Sequence, residues 1–214
     1  MKKTIGMIVL LLTTSTVQAK IMTTDNTEAK QPSASVSATS DQKVKGLYFG
    51  VGAGATEFEH LDYNGPTVDS DDNMIKFIAG YQFSRIFALE GQYTKYGEIN
   101  GYGWEPTAVS LTANLGYTFS NGLRPFGVAG FSAIDLNKQY DSGLEDKGVG
   151  LRYGFGLEYA PAVLSGFSAR VGYEIDIFGI EYTYSSDSSG YSYGYTEIEE
   201  FALGSFYASV AYKF

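Results

Sequence analysis

Residues 149–159 read VGLRYGFGLEY. Val149, Leu151, Tyr153, Phe155, Leu157 and Tyr159 alternate with Arg152, Gly154, Gly156 and Glu158, the period-two pattern of a strand with one apolar face. The other face decides the environment. In a soluble sandwich that face meets water, where glycine weakens the strand and supplies no charge. Glycine beside opposite charges fits the cramped interior of a small barrel, with the large apolar side chains turned outward to lipid. Segments near ten residues match the ~9–11 of a tilted membrane strand.

The pattern recurs along the chain. Leu47, Phe49, Val51, Ala53 and Ala55 share a face opposite Tyr48, Gly50, Gly52 and Gly54. Ile75, Phe77, Ala79, Tyr81 and Phe83 oppose Lys76, Gly80 and Gln82; Val109, Leu111, Ala113, Leu115, Tyr117 and Phe119 oppose Ser110, Thr112, Asn114 and Gly116. Phe167, Ala169, Val171, Tyr173 and Ile175 oppose Arg170, Gly172 and Glu174. Short connections (SRI, SNGLR, APAVLSG) alternate with longer polar ones near 57–73, 95–107, 135–148 and 177–200. Short turns on one side and long loops on the other are the arrangement of an outer-membrane barrel. The sequence therefore predicts an all-β fold, an eight-stranded antiparallel transmembrane β-barrel. Its strands fall near 46–56, 74–83, 87–95, 108–119, 125–134, 149–159, 167–176 and 201–214. The strand at 125–134 has no clear facing.

Three strands descending toward the short turns close on GYQF (80–83), GYTF (116–119) and AYKF (211–214), and LEYA (157–160) closes the fourth more weakly. Aromatic rings at strand ends suit the headgroup level. Phe214 is therefore expected in an interfacial girdle.

The N-terminal stretch combines Lys2 and Lys3, an apolar run from Ile5 to Leu12 and a small-residue site at Val17-Gln18-Ala19. That is a signal peptide over residues 1–19, cleaved between Ala19 and Lys20. The apolar run is well short of the ~20 residues a helical span needs. Cleavage takes Lys+Arg from 15 to 13 against 24 Asp+Glu, and the net charge from −9 to −11. Such acidity argues against nucleic acid, whose phosphates would repel it. With no cysteine there is no disulfide scaffold and no thiolate metal site. Residues 20–45, rich in Ser, Thr, Ala and Lys, read as a flexible periplasmic segment, and 46–214 as the barrel.

At this point the chain resembles the small eight-stranded outer-membrane barrels of the OmpA membrane-domain and OmpX type. GYQFSRIFALEGQYT (80–94) is similar to that family's second hairpin; LRPFGVAGF (123–131), LRYGFGLEYA (151–160) and the terminal YKF are similar to its later segments. The size and layout are also similar to the vibrio accessory colonisation factors. The resemblance implies residence in the bacterial outer membrane, with termini in the periplasm and loops outside. It implies contact with outer-membrane lipid and lipopolysaccharide. It further implies that Tyr212 and Phe214 act as a signal to the barrel-assembly machinery. The family spans adhesion, envelope structure and complement evasion, so it does not fix a function, and OmpA's peptidoglycan-binding function is not carried over.

Charged residues on inward positions must be paired. If the 158–167 turn sets Tyr159 opposite Phe167, Arg152 faces Glu174 and Glu158 lies diagonal to Arg170. Lys76 and Glu90 form a third expected pair. Eight strands leave room for side chains and no channel, so this is a polar plug.

Reactive groups are scarce. His60, the sole histidine, lies near Asp62 in EFEHLDYNGP, a loop pair too common to indicate catalysis. DSDDN (69–73) resembles the opening of a calcium loop, but Met74 stands where glycine is required and Gly80 where glutamate is. No metal site, no cofactor and no enzyme activity are expected. The fourth long segment carries Tyr182, Tyr184, Tyr191, Tyr193 and Tyr195 among Ser and Gly, the chemistry of a binding surface. Trp104, in the second long loop, is expected to contribute. The function read from these residues is non-enzymatic surface recognition, adhesion or colonisation through a host protein or glycan. The alternatives are an envelope-structural or narrow porin-like protein and, behind it, a lipid-modifying enzyme.

Overall fold

In the computed structural model, residues 43–61, 68–69, 73–99, 101–139, 145–188 and 191–214 are described. The signal peptide, its cleavage site at Ala19 and Lys20, most of the 20–45 segment, Asp62 and the centre of DSDDN lie outside these residues.

Eight long strands form one antiparallel sheet: β1 Gly46–His60, β2 Met74–Gln82, β3 Phe87–Lys95, β4 Thr107–Gly116, β5 Leu123–Asp135, β6 Lys147–Tyr159, β7 Phe167–Ser188 and β8 Tyr191–Lys213. Each pairs with the next, and β1 pairs with β8 from Tyr48↔Lys213 to His60↔Phe201, closing the barrel. A two-residue strand, Val68–Asp69, extends the sheet beside β1.

Facing follows the alternation. Phe131, Phe155 and Val149 are 74%, 68% and 78% exposed on the outer wall, whereas Lys76 and Glu90 inside are fully buried. An outer surface this apolar, wrapped around a charged interior, reverses the soluble arrangement and suits lipid. The strand of unclear facing is resolved: Arg124, Phe126, Val128, Ser132 and Ile134 face inward, while Leu123 and Phe131 face outward. Its ambiguity arose because three apolar residues, Phe126, Val128 and Ile134, lie on the inner face.

Aromatic rings collect at the short-turn end. Tyr81 meets Phe83 with centroids 4.8 Å apart, Tyr117 meets Phe119 at 5.0 Å and Phe167 meets Tyr212 at 4.8 Å. Phe214 packs edge-on against Tyr212 at 4.9 Å and Phe49 at 6.0 Å, and its backbone N–H donates to the Leu47 carbonyl at 2.8 Å. The last residue is thus tied to β1.

The β6–β7 connection corrects the expected register. Tyr159 pairs with Ala169, so Arg152 stands opposite Asp176 and Glu158 directly opposite Arg170. The turn contains a 3₁₀ helix, Ala162–Leu164, followed by Ser165 and Gly166 in left-handed conformations (φ 42° and 106°). Phe167 and Ser168 then pair with β8, so β6 joins β7 two residues later. Closing a barrel requires stagger of this kind.

Candidate functional site

Inside the barrel, the charges form two clusters. Toward the short turns, Glu90 accepts hydrogen bonds from Arg170 Nη1 at 2.7 Å, Asn114 Nδ2 at 2.8 Å and the Tyr48 hydroxyl. Glu158 accepts from Arg170 Nε at 2.6 Å, with Arg124 Nη1 at 3.7 Å, and Arg124 donates to Asn114 Oδ1 at 2.7 Å. Glycine permits this layout. A Cβ on Gly80 would lie 2.5 Å from the Tyr48 ring, so Tyr48 crosses over Gly80 to reach Glu90 on the next strand.

Toward the long loops, Arg152 holds Asp176 through two bonds, Nε–Oδ1 at 2.9 Å and Nη2–Oδ2 at 2.6 Å. Its Nη1 donates to Gln92 Oε1 and Ser110 Oγ, both at 2.9 Å, and Nη2 donates to Tyr96 Oη at 2.9 Å. Lys76 donates to Glu174 Oε2 at 2.6 Å while its Nζ lies 3.9 Å from the centre of the Tyr207 ring. The expected Lys76–Glu90 and Arg152–Glu174 pairs are therefore redistributed. Glu90 belongs to Arg170, Lys76 to Glu174 and Arg152 to Asp176, leaving Arg152–Glu174 as a longer 3.7 Å contact. These pairs reach across the interior as well as along it, which adjacent-strand reasoning does not anticipate.

Above the charges, Phe58, Trp104, Phe201, Ile99, Leu136, Phe178, Ile180 and Leu203 form a buried apolar cap. Trp104 is 5% exposed and lies edge-on to Phe58 and Phe201, with centroids 5.6 and 5.8 Å away. This differs from the expected surface role for Trp104. Its backbone bridges to Ile99 and Lys138 fold the second loop inward over the mouth. His60 stacks on Phe201 at 4.6 Å and sits 3.5 Å from Glu199 Oε2. Among the described residues, no group of three His, Asp or Glu side chains is arranged to hold a metal.

The longest feature rises from this end. β6 pairs with β7 up to Val149↔Gly179, and β1 pairs with β8 up to His60↔Phe201. β7 and β8 continue together from Ile180↔Glu199 to Ser188↔Tyr191, nine further register pairs. At about 3.4 Å per residue, this two-stranded ribbon extends roughly 30 Å beyond the neighbouring pairings. Its base is bonded sideways by Leu61 N–H to the Glu200 carbonyl at 2.9 Å and Glu145 N–H to the Glu181 carbonyl at 3.0 Å. Register places the tyrosines together. Tyr182 is opposite Glu197, Tyr184 opposite Tyr195, Ser186 opposite Tyr193 and Ser188 opposite Tyr191. By register, the five tyrosine positions fall in the same alternating set as Glu197 and Glu199, and Glu181 and Asp187 fall in the other.

Sequence reasoning missed Asp176 as the partner of Arg152, as well as Arg124, Asn114 and the cap. Alternation could have put Asp176 and Arg124 inside; their partners depend on stagger. The cap residues Phe58, Phe178 and Phe201 lay outside or at the limits of the expected strands.

The fold is shared with known barrels. Neisserial surface protein A aligns with a TM-score of 0.54 at 19% identity, over 78% of this chain and 97% of that one. The N-terminal barrel of Pseudomonas aeruginosa OprF aligns at 18% identity and TM-score 0.44, over 77% and 97%. The Yersinia pestis attachment invasion locus protein Ail, solved with a heparin analogue, aligns at 15% and 0.46, over 79% and 99%. No curated protein matches the chain in sequence. The model of the outer membrane protein beta-barrel domain matches residues 32–214, and with a closed eight-stranded barrel, apolar outside and charged inside, the chain belongs to that family of the bacterial outer membrane.

Proposed function

We propose that the protein is a non-enzymatic surface protein that uses the β7–β8 ribbon, outside the cell, to recognise a host protein or glycan. The observation that carries this reading is the nine-pair extension of β7 and β8, whose sequence places five tyrosines in register with one another. Tyrosine offers broad amphipathic contact at low entropic cost, and the barrel gives the ribbon a rigid base. The long-loop end faces outward and both ends of the barrel domain lie on the periplasmic side, as in the family's usual arrangement.

The test is binding of refolded barrel to host cells, with the intact chain compared against one lacking residues 182–195. Retained binding by the shortened, folded barrel would refute the assignment. A narrow-pore role is less well supported, because ion-paired side chains fill the middle and the aromatic cap covers the mouth. Single-channel recording should give negligible conductance. For a lipid-modifying enzyme, His60 has an aromatic ring and Glu199 as neighbours, which is a weak basis for a nucleophile–base pair. Lipid A from cells carrying His60→Ala should be unchanged by mass analysis.

A further inference from the structure

Charge is segregated along the barrel. The four long connections, 57–73, 95–107, 135–148 and 177–200, hold seventeen Asp and Glu against three Lys. The short-turn end is the reverse. Residues 43–46, 83–86, 117–122, 160–166 and 213–214 contain Lys43, Lys45, Arg85 and Lys213 but no Asp or Glu. The Phe214 carboxylate offsets one of these cations and leaves the end positive. Lys213 is buried; it donates to Gln82 Oε1 and, at 3.2 Å, to the Lys43 carbonyl, which ties the Lys43–Lys45 stretch to the barrel end. Lys43, Lys45 and Arg85 are exposed. Lys45 immediately precedes β1, whose first residue Gly46 pairs with Gln82, next to Phe83. Arg85 Nη1 donates to the Thr118 carbonyl at 3.1 Å, so the side chain reaches from the turn between Phe83 and Phe87 to the segment between Tyr117 and Phe119. All four of those rings are exposed on the outer wall.

With the short turns toward the periplasm, as proposed above, we infer that this end binds the headgroups of anionic phospholipid in the inner leaflet of the outer membrane. The aromatic girdle sets Lys45 and Arg85 at headgroup depth, where basic side chains are attracted to anionic lipid. Arginine presents its donors in a planar fork that suits phosphate oxygens. The apolar wall beside the girdle receives the acyl chains of the same lipid, a contact that free phosphate cannot make. The acidic long-loop end repels phosphate, so the two ends of the barrel select different lipids.

The experiment uses the refolded chain from Lys20 onward in phosphatidylcholine nanodiscs, with a fluorophore on Ser120→Cys at the short-turn end or on Val149→Cys toward the long loops. Phosphatidylglycerol or phosphatidylcholine, spin-labelled near the headgroup, is titrated in as quencher. At Ser120→Cys, phosphatidylglycerol should quench at a mole fraction at least about threefold lower than phosphatidylcholine, and the preference should shrink as salt rises from about 50 to 500 mM. At Val149→Cys the preference should be absent or reversed. Lys43→Gln with Lys45→Gln should remove part of it, and Arg85→Gln added to these the rest, with heat modifiability confirming the fold. Should the triple variant not fold, the lysine pair decides the question, because it leaves the Arg85–Thr118 bond in place. Equal quenching by the two lipids at Ser120→Cys, a preference as strong at Val149→Cys, or one unchanged by loss of both lysines would overturn the inference. So would its abolition by millimolar glycerol phosphate, which would assign the site to a soluble anion. The bilayer is symmetric, so the lipid preference is measured independently of which way the barrel faces in cells.

Discussion

Arg152 and Asp176 face each other across β6 and β7, joined by two hydrogen bonds of 2.9 and 2.6 Å in the barrel interior. Both side chains are almost wholly buried. Removing one partner leaves a buried charge uncompensated, which costs about 3–5 kcal/mol. Arg152→Ala should therefore lower barrel stability by that amount, and the Arg152→Ala, Asp176→Ala double variant should recover part of it. A cycle through Glu174, which lies 3.7 Å from Arg152, should show weaker coupling. Urea unfolding in detergent measures both; stronger coupling to Glu174 would mean the β6–β7 register is wrong.

The outer wall makes an opposite demand. Leu111 is outward on β4, opposite Gly91 and Phe131, far from either rim. Leu111→Arg should destabilise the inserted barrel by about 2–4 kcal/mol, the cost of a charge near the bilayer midplane. An arginine tolerated there without loss would contradict a lipid-facing position.

Phe214 connects the strand end to the girdle. Its contacts with Phe49 and Tyr212 and its backbone bond to Leu47 anchor it at the strand end, and we propose that it also acts as an assembly signal. Deleting Phe214 should reduce heat-modifiable barrel in the outer membrane and increase periplasmic proteolysis. Unchanged surface yield would remove both roles.

The chain has no cysteine, so a single introduced thiol reports orientation cleanly. Ser188→Cys, at the ribbon's far end, should react with a membrane-impermeant maleimide on intact cells. Asn121→Cys, in the β4–β5 turn, should react only after the outer membrane is opened. The reverse pattern would invert the barrel.

The fold was legible because its signal is local. Alternation sorts each side chain to lipid or interior, and VGLRYGFGLEY alone shows the reversed polarity. What escaped was set by non-local geometry. Arg152 meets Asp176 because the 160–166 turn climbs through a 3₁₀ helix and two left-handed residues before β7 joins β6. Lys76 finds Glu174 across the interior rather than Glu90 on the adjoining strand. Trp104 sits in a polar, glycine-rich stretch that reads as an exposed loop, yet bridges to Ile99 and Lys138 fold it over the mouth. The ribbon was readable as a tyrosine-rich segment; its register, with Tyr184 paired to Tyr195, was not.

Replacing Tyr184, Tyr191 and Tyr193 together with serine tests the recognition role most directly, because it removes three rings from the ribbon's sequence while preserving its length. Adherence of cells bearing the variant is compared with wild type at matched surface yield, with heat modifiability confirming a folded barrel. The account predicts intact barrel and yield with adherence reduced severalfold. Undiminished adherence with the barrel folded would contradict recognition by these tyrosines and leave the ribbon as a structural extension of the sheet.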